Sequence, residues 1–201
     1  MAVIVRKARP DDTGPIAELI YSSGMDVYDY LYGDQAIEYL RYEFASGQGL
    51  AGYRNVTVAV DDNEEVVGTG CFFDAKHYPE LIEGGMKNLP AFFGDEQVKP
   101  VLMRLLNTRS VMKPPREGEV YLSNFGVSPS VRSQGIGSLM INTVLEQARA
   151  DGFSVFGLDV SSENPRGQAL YERLGLKVVE EKIFSDAHAG VPAARKMELA
   201  L

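Results

Sequence analysis

The chain has 201 residues, 45% of them hydrophobic and 24% charged, which is the balance of a soluble globular protein long enough to bury a substantial core. Its formal net charge of −8 argues against a non-specific nucleic-acid binder and is an ordinary solubility feature. One cysteine excludes an intrachain disulfide framework, the charged opening does not read as a signal peptide, and no apolar run reaches membrane-span length, so a cytoplasmic protein with no membrane or nucleic-acid partner is expected.

In chain order, Val3 to Ala8 reads as a strand, and Asp11 to Ser22 as a helix with Ile16, Leu19 and Ile20 on one face. Gly24 to Gly33 is rich in Tyr, Asp and Met. Asp34 to Ala45 reads as a second helix, with Ile37, Leu40 and Phe44 apolar. Val56, Val58 and Val60 alternate with small or polar residues, Asp61 to Glu65 is a short polar turn, and Val66 to Phe73 returns, so this is a hairpin. Residues 74–116 form an insertion, with a helix expected at Gln97 to Val111 and ended by Pro114-Pro115. A long insertion beside a cleft is often functional, and a packing or dimer element is the other reading. Residues 119–127 form a strand. The helix after it has Ile136, Leu139, Met140, Val144 and Ala148 as its buried stripe. Ser154 to Val160 is a strand, a helix starts at Asn164, and Leu176 to Phe184 and Ala194 to Leu201 read as an antiparallel pair. Strands outnumber helices and the helical crossovers fall in the second half. The fold class is therefore α/β (α+β), a mixed, mostly antiparallel sheet of about seven strands with helices on both faces.

The stretch Asn124 to Ser138 carries the chemistry. A strand, a polar turn, a loop with Gly135 and Gly137, and an amphipathic helix follow one another. The first N–H groups of a helix lack internal partners and sit at the positive end of its dipole, so this order makes an anion site. Glycine lets phosphate oxygens approach the amides and tolerates positive φ. Arg132 adds a forked cationic donor, and Ser133, Gln134 and Ser138 add neutral ones. The chain has no P-loop sequence, and a dinucleotide fingerprint would need glycine where Met140 stands. Asn164 suits a helix N-cap, Pro165 a first turn and Gly175 a helix stop, and Asn164 and Tyr171 fall on one helix face about two turns apart.

Arg132-Ser133-Gln134-Gly135-Ile136-Gly137 matches, without a gap, the pattern Arg/Gln-x-x-Gly-x-Gly/Ala. With the asparagine and Ala169-Leu170-Tyr171 downstream, and the strand and helix cap at Val3 to Asp12, it resembles the GCN5-related N-acetyltransferases, the GNAT superfamily. The resemblance covers most of the chain except roughly residues 74–116. It implies one N-acetyltransferase domain over residues 1–201, acetyl-coenzyme A as cosubstrate, and direct acetyl transfer to a primary amine of unspecified identity. A homodimer is common among such proteins. It places the diphosphate on residues 132–138, with Ile136 among them. It sets the backbone of Phe125, Gly126 and Val127 and the side chain of Asn164 along the cofactor arm, and makes Tyr171 the general acid toward the leaving thiolate. Gly24 to Gly33 would border the acceptor cleft. Many such proteins carry a glutamate base where Tyr121 stands. Glu119 is the neighbouring carboxylate candidate, and a water chain or an exposed strand-start role for Glu119 stay open. The retained Tyr171 favours an enzyme. The missing glutamate at 121 leaves a non-catalytic acyl-coenzyme A sensor as the alternative. Cys71 reads as buried and inert, and His77 and His188 lack metal-ligand spacing, so no metal is expected.

Overall fold

A computed structural model describes residues 2–12, 14–186 and 188–201. Its elements run β1 (Ile4–Lys7), α1 (Ile16–Tyr21), α2 (Met25–Tyr32), α3 (Ala36–Ser46), β2 (Val56–Val60), β3 (Val66–Asp74), α4 (Tyr78–Thr108), β4 (Glu119–Val127), α5 (Ile136–Ala150), β5 (Val155–Ser161), α6 (Pro165–Arg173), β6 (Lys177–Lys182) and β7 (Ala194–Ala200). The seven strands form one sheet in the order β1-β2-β3-β4-β5-β7-β6. Only β4 and β5 pair in parallel, across the α5 crossover, and every other neighbouring pair is antiparallel.

Two glycines show how the helices divide between the sheet faces. Gly126 on β4 sits opposite Thr69 on β3. A Cβ at Gly126 would lie 2.2 Å from the Leu19 carbonyl oxygen of α1. A Cβ at Gly68, one residue from Thr69 and so on the opposite face, would lie 2.8 Å from Met140 Sδ of α5. Helix α1 thus presses its backbone onto one face of β4, and α5 covers the other. The first face is sealed by Ile16, Ile20, Leu40, Phe44, Val56 and Val58. Ile141, Leu145, Phe156, Leu158 and Met197 form a second cluster.

The sequence reading differs from the structure in four places. The first helix starts at Ile16, because the residue before Pro15 is steered out of helical geometry. The earlier expected start spans Thr13, which lies outside the described residues. Gly24 to Gly33 contains a helix, α2, packed on α3 and α4 through Tyr28, Tyr32 and Leu31. The insertion is helical from Tyr78 and not from Gln97. It is interrupted at Gly94 (φ 74°, ψ 168°), so α4 is two helical pieces end to end. In α5, Leu139 is exposed, while Ile141 and Leu145 are buried beside Ile136, Met140 and Ala148. No helix among the described residues is long and apolar enough to cross a membrane.

Candidate active site

The site begins with a defect in the sheet. Two residues of β4, Asn124 and Phe125, face the single Gly70 of β3, because the register steps from Thr69↔Gly126 to Cys71↔Ser123. Asn124 takes φ 54° to make this bulge, which bends the strand. On its other edge β4 pairs with β5 only from Glu119↔Val155 to Leu122↔Leu158. Both strands continue beyond, β4 to Val127 and β5 to Ser161, so they diverge and leave a wedge. The backbone of Ser123 to Gly126 keeps its pairing with β3 on one side and faces the wedge on the other. Those free N–H and C=O groups need partners, and an extended amide-bearing ligand can supply them.

At the mouth of the wedge, a 3₁₀ turn at Pro129–Val131 leads to the N-terminus of α5. Gly135 caps that helix at φ 84°, a conformation that favours glycine, and Ser133 is also left-handed at φ 65°. The amide of Leu139 bonds back to the Gly135 carbonyl, and the amides of residues 136–138 precede that turn. Arg132 donates from Nε to the Val127 carbonyl at 3.1 Å, which holds its guanidinium beside the loop. Arg166, from the first turn of α6, donates to Ser133 Oγ at 3.1 Å and brings a second guanidinium to the same place. Sequence reasoning had not assigned Arg166 a role. Ile136 is buried against Met140 and Val67 and anchors the helix start. Gly137 faces Leu170 and Phe125.

Helix α6 forms the far wall. Asn164 caps it, its Oδ1 accepting from the Gly167 amide at 2.8 Å, and its side chain also lines the cavity. Tyr171, two turns on, packs its ring 6.5 Å from that of Phe125 and lines the same cavity. Burial raises the Tyr171 pKa, so the phenol stays protonated at neutral pH. Asn124, Phe125, Asn164 and Tyr171 therefore line one cavity, and the Arg166–Ser133 hydrogen bond ties the loop to the same helix α6.

The two base candidates are both engaged by other side chains. Glu119 does not line the cavity. It is buried in an ion pair with Lys196, and it also accepts from the Arg116 amide at 2.9 Å. Burial alone would raise its pKa, but the Arg116 amide and the Lys196 ammonium hold it below the usual carboxylate range. Tyr121 does reach the cavity, but its hydroxyl donates to Asp159 Oδ2 at 2.5 Å. Lys182 completes that cluster at 2.8 Å from the same oxygen and donates to the Val111 carbonyl at 3.1 Å. Burial and the Asp159 charge push the Tyr121 pKa well up. The β4–β5–β6–β7 end of the sheet thus holds two charge-neutral clusters of structural character. Cys71 is buried, its Sγ donating to the Leu50 carbonyl at 2.9 Å and its pKa raised by burial to about 12.

The family described as Acetyltransferase (GNAT) family matches residues 20–176. The chain belongs to that family. The GNAT chain is 27% identical over 111 residues to N-alpha-acetyltransferase 50 of Danio rerio, covering 55% of this chain and 62% of that protein. It is 37% identical over 64 residues to GCN5-related N-acetyltransferase 6, chloroplastic, of Arabidopsis thaliana, covering 32% of this chain and 22% of that protein. The matched stretches thus span less than two thirds of these relatives' lengths. Among solved structures, an N-acetyltransferase from Staphylococcus aureus Mu50 superposes with a TM-score of 0.69 at 16% identity, covering 98% of this chain and 100% of that one. A protein described only as an acetyltransferase superposes at 0.68 with 23% identity, covering 98% of each chain. At these identities the superpositions show a shared fold.

Proposed function

We propose that this GNAT chain is an acetyl-coenzyme A-dependent N-acetyltransferase that moves the acetyl group directly to a primary amine. The observation that carries the reading is the wedge. The edge of β4 that parts from β5 is flanked by Asn164 and Tyr171 of α6, which line the same cavity, and it leads through the 3₁₀ turn to the N-terminus of α5, an order that supports an extended thioester lying along it.

The residues fit that molecule. The amides of 136–138, Gly135 without a Cβ, and the guanidiniums of Arg132 and Arg166 suit a diphosphate. The backbone of Ser123 to Gly126 on the side without a β5 partner suits the amides of a pantetheine arm, with Asn164 Nδ2 still able to donate. When bound, acetyl-coenzyme A supplies an activated acyl group. The chain's own contribution is to polarise and to move protons. An amide freed at the bulge, at Phe125, would donate to the carbonyl oxygen as charge builds there. Tyr171 would give its proton to the departing sulfur, for which its raised pKa keeps it loaded.

Replacing Tyr171 by phenylalanine tests the assignment. Thiol release over a panel of primary amines should slow by about 100-fold or more, the usual scale of a lost proton donor. Acetyl-coenzyme A should still raise the melting temperature as in the wild type. Normal turnover in the variant would remove Tyr171 from the chemistry. Tight acetyl-coenzyme A binding with no thiol release from any amine would instead identify a sensor.

A further inference from the structure

The cavity that Phe125, Asn164 and Tyr171 line measures about 810 Å³ in all and continues from the wedge to residues of α2, α3 and α4. Its inner wall is hydrocarbon, built from Leu31, Leu40, Leu81, Leu89, Leu102 and Leu105. Two carboxylates lie on the cavity lining, and they differ in one respect. Asp159 is neutralised by Lys182. Glu43, set into the wall by α3, is 6% exposed and accepts only uncharged donors, the backbone amides of Ala51 and Leu50. Arg109, the one cation on the lining among the described residues, sits beside Tyr78.

The surroundings of Glu43 are arranged to keep it there. A Cβ at Gly49 would fall 1.9 Å from its Oε1, so the loop after α3 closes over the carboxyl only because residue 49 has no side chain. Helix α4 passes with Gly85 facing it, at 3.7 Å for a notional Cβ. Tyr28 and Tyr32 from α2, Tyr39 from α3 and Cys71 from β3 are the titratable neighbours, and each is held neutral by burial. Burial pushes the Glu43 pKa up to about 7. An ionised carboxylate without a cation in such a wall is unfavourable. The site lacks one thing, a positive charge delivered from outside.

Glu43 shares the cavity lining with Asn124 and Phe125 at the bulge. It feels both Tyr28 and Cys71 electrostatically. The Tyr28 hydroxyl donates to Asn124 Oδ1 at 2.7 Å, and Asn124 Nδ2 stands 3.6 Å from Cys71 Sγ. Asn124 immediately precedes Phe125, whose backbone faces the wedge.

We propose that the acceptor is an apolar primary amine whose hydrocarbon or aromatic body fills the part of the cavity lined by α2, α3 and α4, and whose ammonium pairs with Glu43, which takes its proton. This rests on the N-acetyltransferase reading above. In the step, the ammonium gives one proton to Glu43, directly or through one water. The nitrogen lone pair then forms the C–N bond as the C–S bond breaks. The sulfur takes the Tyr171 proton, the second nitrogen proton restores Tyr171, and Glu43 returns its proton to solvent. Tyr28, Tyr32 and Tyr39 line the same cavity, and aromatic rings beside an ammonium add a cation–π attraction.

The test uses the wild type, Glu43→Gln and Leu106→Lys, and three probes: 2-phenylethylamine, its neutral isostere 2-phenylethanol, and the polar 1,4-diaminobutane. Binding is measured calorimetrically at pH 8 with coenzyme A present, and turnover by thiol release from pH 5.5 to 9. The wild type should prefer 2-phenylethylamine to both other probes by about tenfold or more. Glu43→Gln should lose about 30-fold or more in affinity for the amine but not the alcohol, the usual consequence of breaking a buried charge pair. It should also lose the acid limb near pH 7 in kcat/KM. Leu106, on the cavity lining and 51% exposed, tolerates a lysine, which should erode the apolar preference even if Glu43→Gln folds poorly. Equal amine binding by Glu43→Gln, or a wild-type preference for the diamine, would overturn the inference while leaving acetyl transfer intact. A wild type whose melting temperature does not respond to acetyl-coenzyme A would overturn the transferase reading itself.

Discussion

A buried acid held in its neutral form leaves a signature in stability that needs no substrate. Glu43 has an ordinary pKa of 4.5, raised by desolvation in the folded protein to about 7. At about 1.4 kcal/mol per pH unit, that gap is worth about 3 kcal/mol. The sign follows from which form the fold prefers. The native state binds the proton more tightly than the unfolded chain, so the contribution is complete below pH 4.5 and is lost as the pH climbs through about 7. Glu43→Gln keeps a side-chain oxygen for a backbone amide but cannot ionise. Urea denaturation of both proteins at intervals from pH 4.5 to 8.5 should therefore show the wild type losing about 3 kcal/mol relative to the variant. In thermal scans that is roughly 6 to 12 °C for a chain of this size. Cys71, Tyr28, Tyr32 and Tyr39 are all shifted upward by burial and do not ionise in this window. The histidines are common to both proteins and cancel in the difference. Parallel stability curves would show that the carboxyl is already satisfied when charged, and the case for an external cation would fall with that result.

Gly135→Ala should destabilise the fold by about 1–2 kcal/mol, because φ 84° is strained for any side chain. It should also weaken the thermal stabilisation by acetyl-coenzyme A. Lys182→Met should cost about 3–5 kcal/mol in urea denaturation by stranding the Asp159 carboxylate, and adding Asp159→Asn should recover much of it. Glu119→Gln should lower the melting temperature through its loss of charge opposite Lys196, yet leave kcat within about twofold. A tenfold fall in kcat would return Glu119 to the chemistry.

The parts of the site legible in sequence are those made by local backbone geometry. Residues 132–138 and the Asn164–Tyr171 helix each complete their geometry within about ten residues, so spacing alone places them. The hairpin and the last two strands were legible for the same reason. Tertiary partners were not. Glu119 sits on a strand where alternation puts it near Tyr121, but Lys196, 77 residues away, decides its state. Glu43 is one of many acids on amphipathic helices, and only the closure by Gly49 and Gly85 shows that it faces inward. Arg166 lies in a first helical turn, and its proximity to Ser133 depends on how β5 carries α6 back toward α5. Helix α4 was half hidden because Gly84, Gly85, Pro90, Gly94 and Pro100 all read as breakers, whereas packing on α2 and α3 overrides most of them.

The missing side chain at residue 126 has a further consequence. With the Leu19 carbonyl seated where a methyl group would otherwise be, α1 has no slack relative to β4. A side chain at residue 126 would tilt the helix and drag the free edge of β4 with it. Substitutions that reshape the cavity without disturbing β4 are therefore to be expected on α2 and α4, whereas α1 serves as the fixed jaw of a vice.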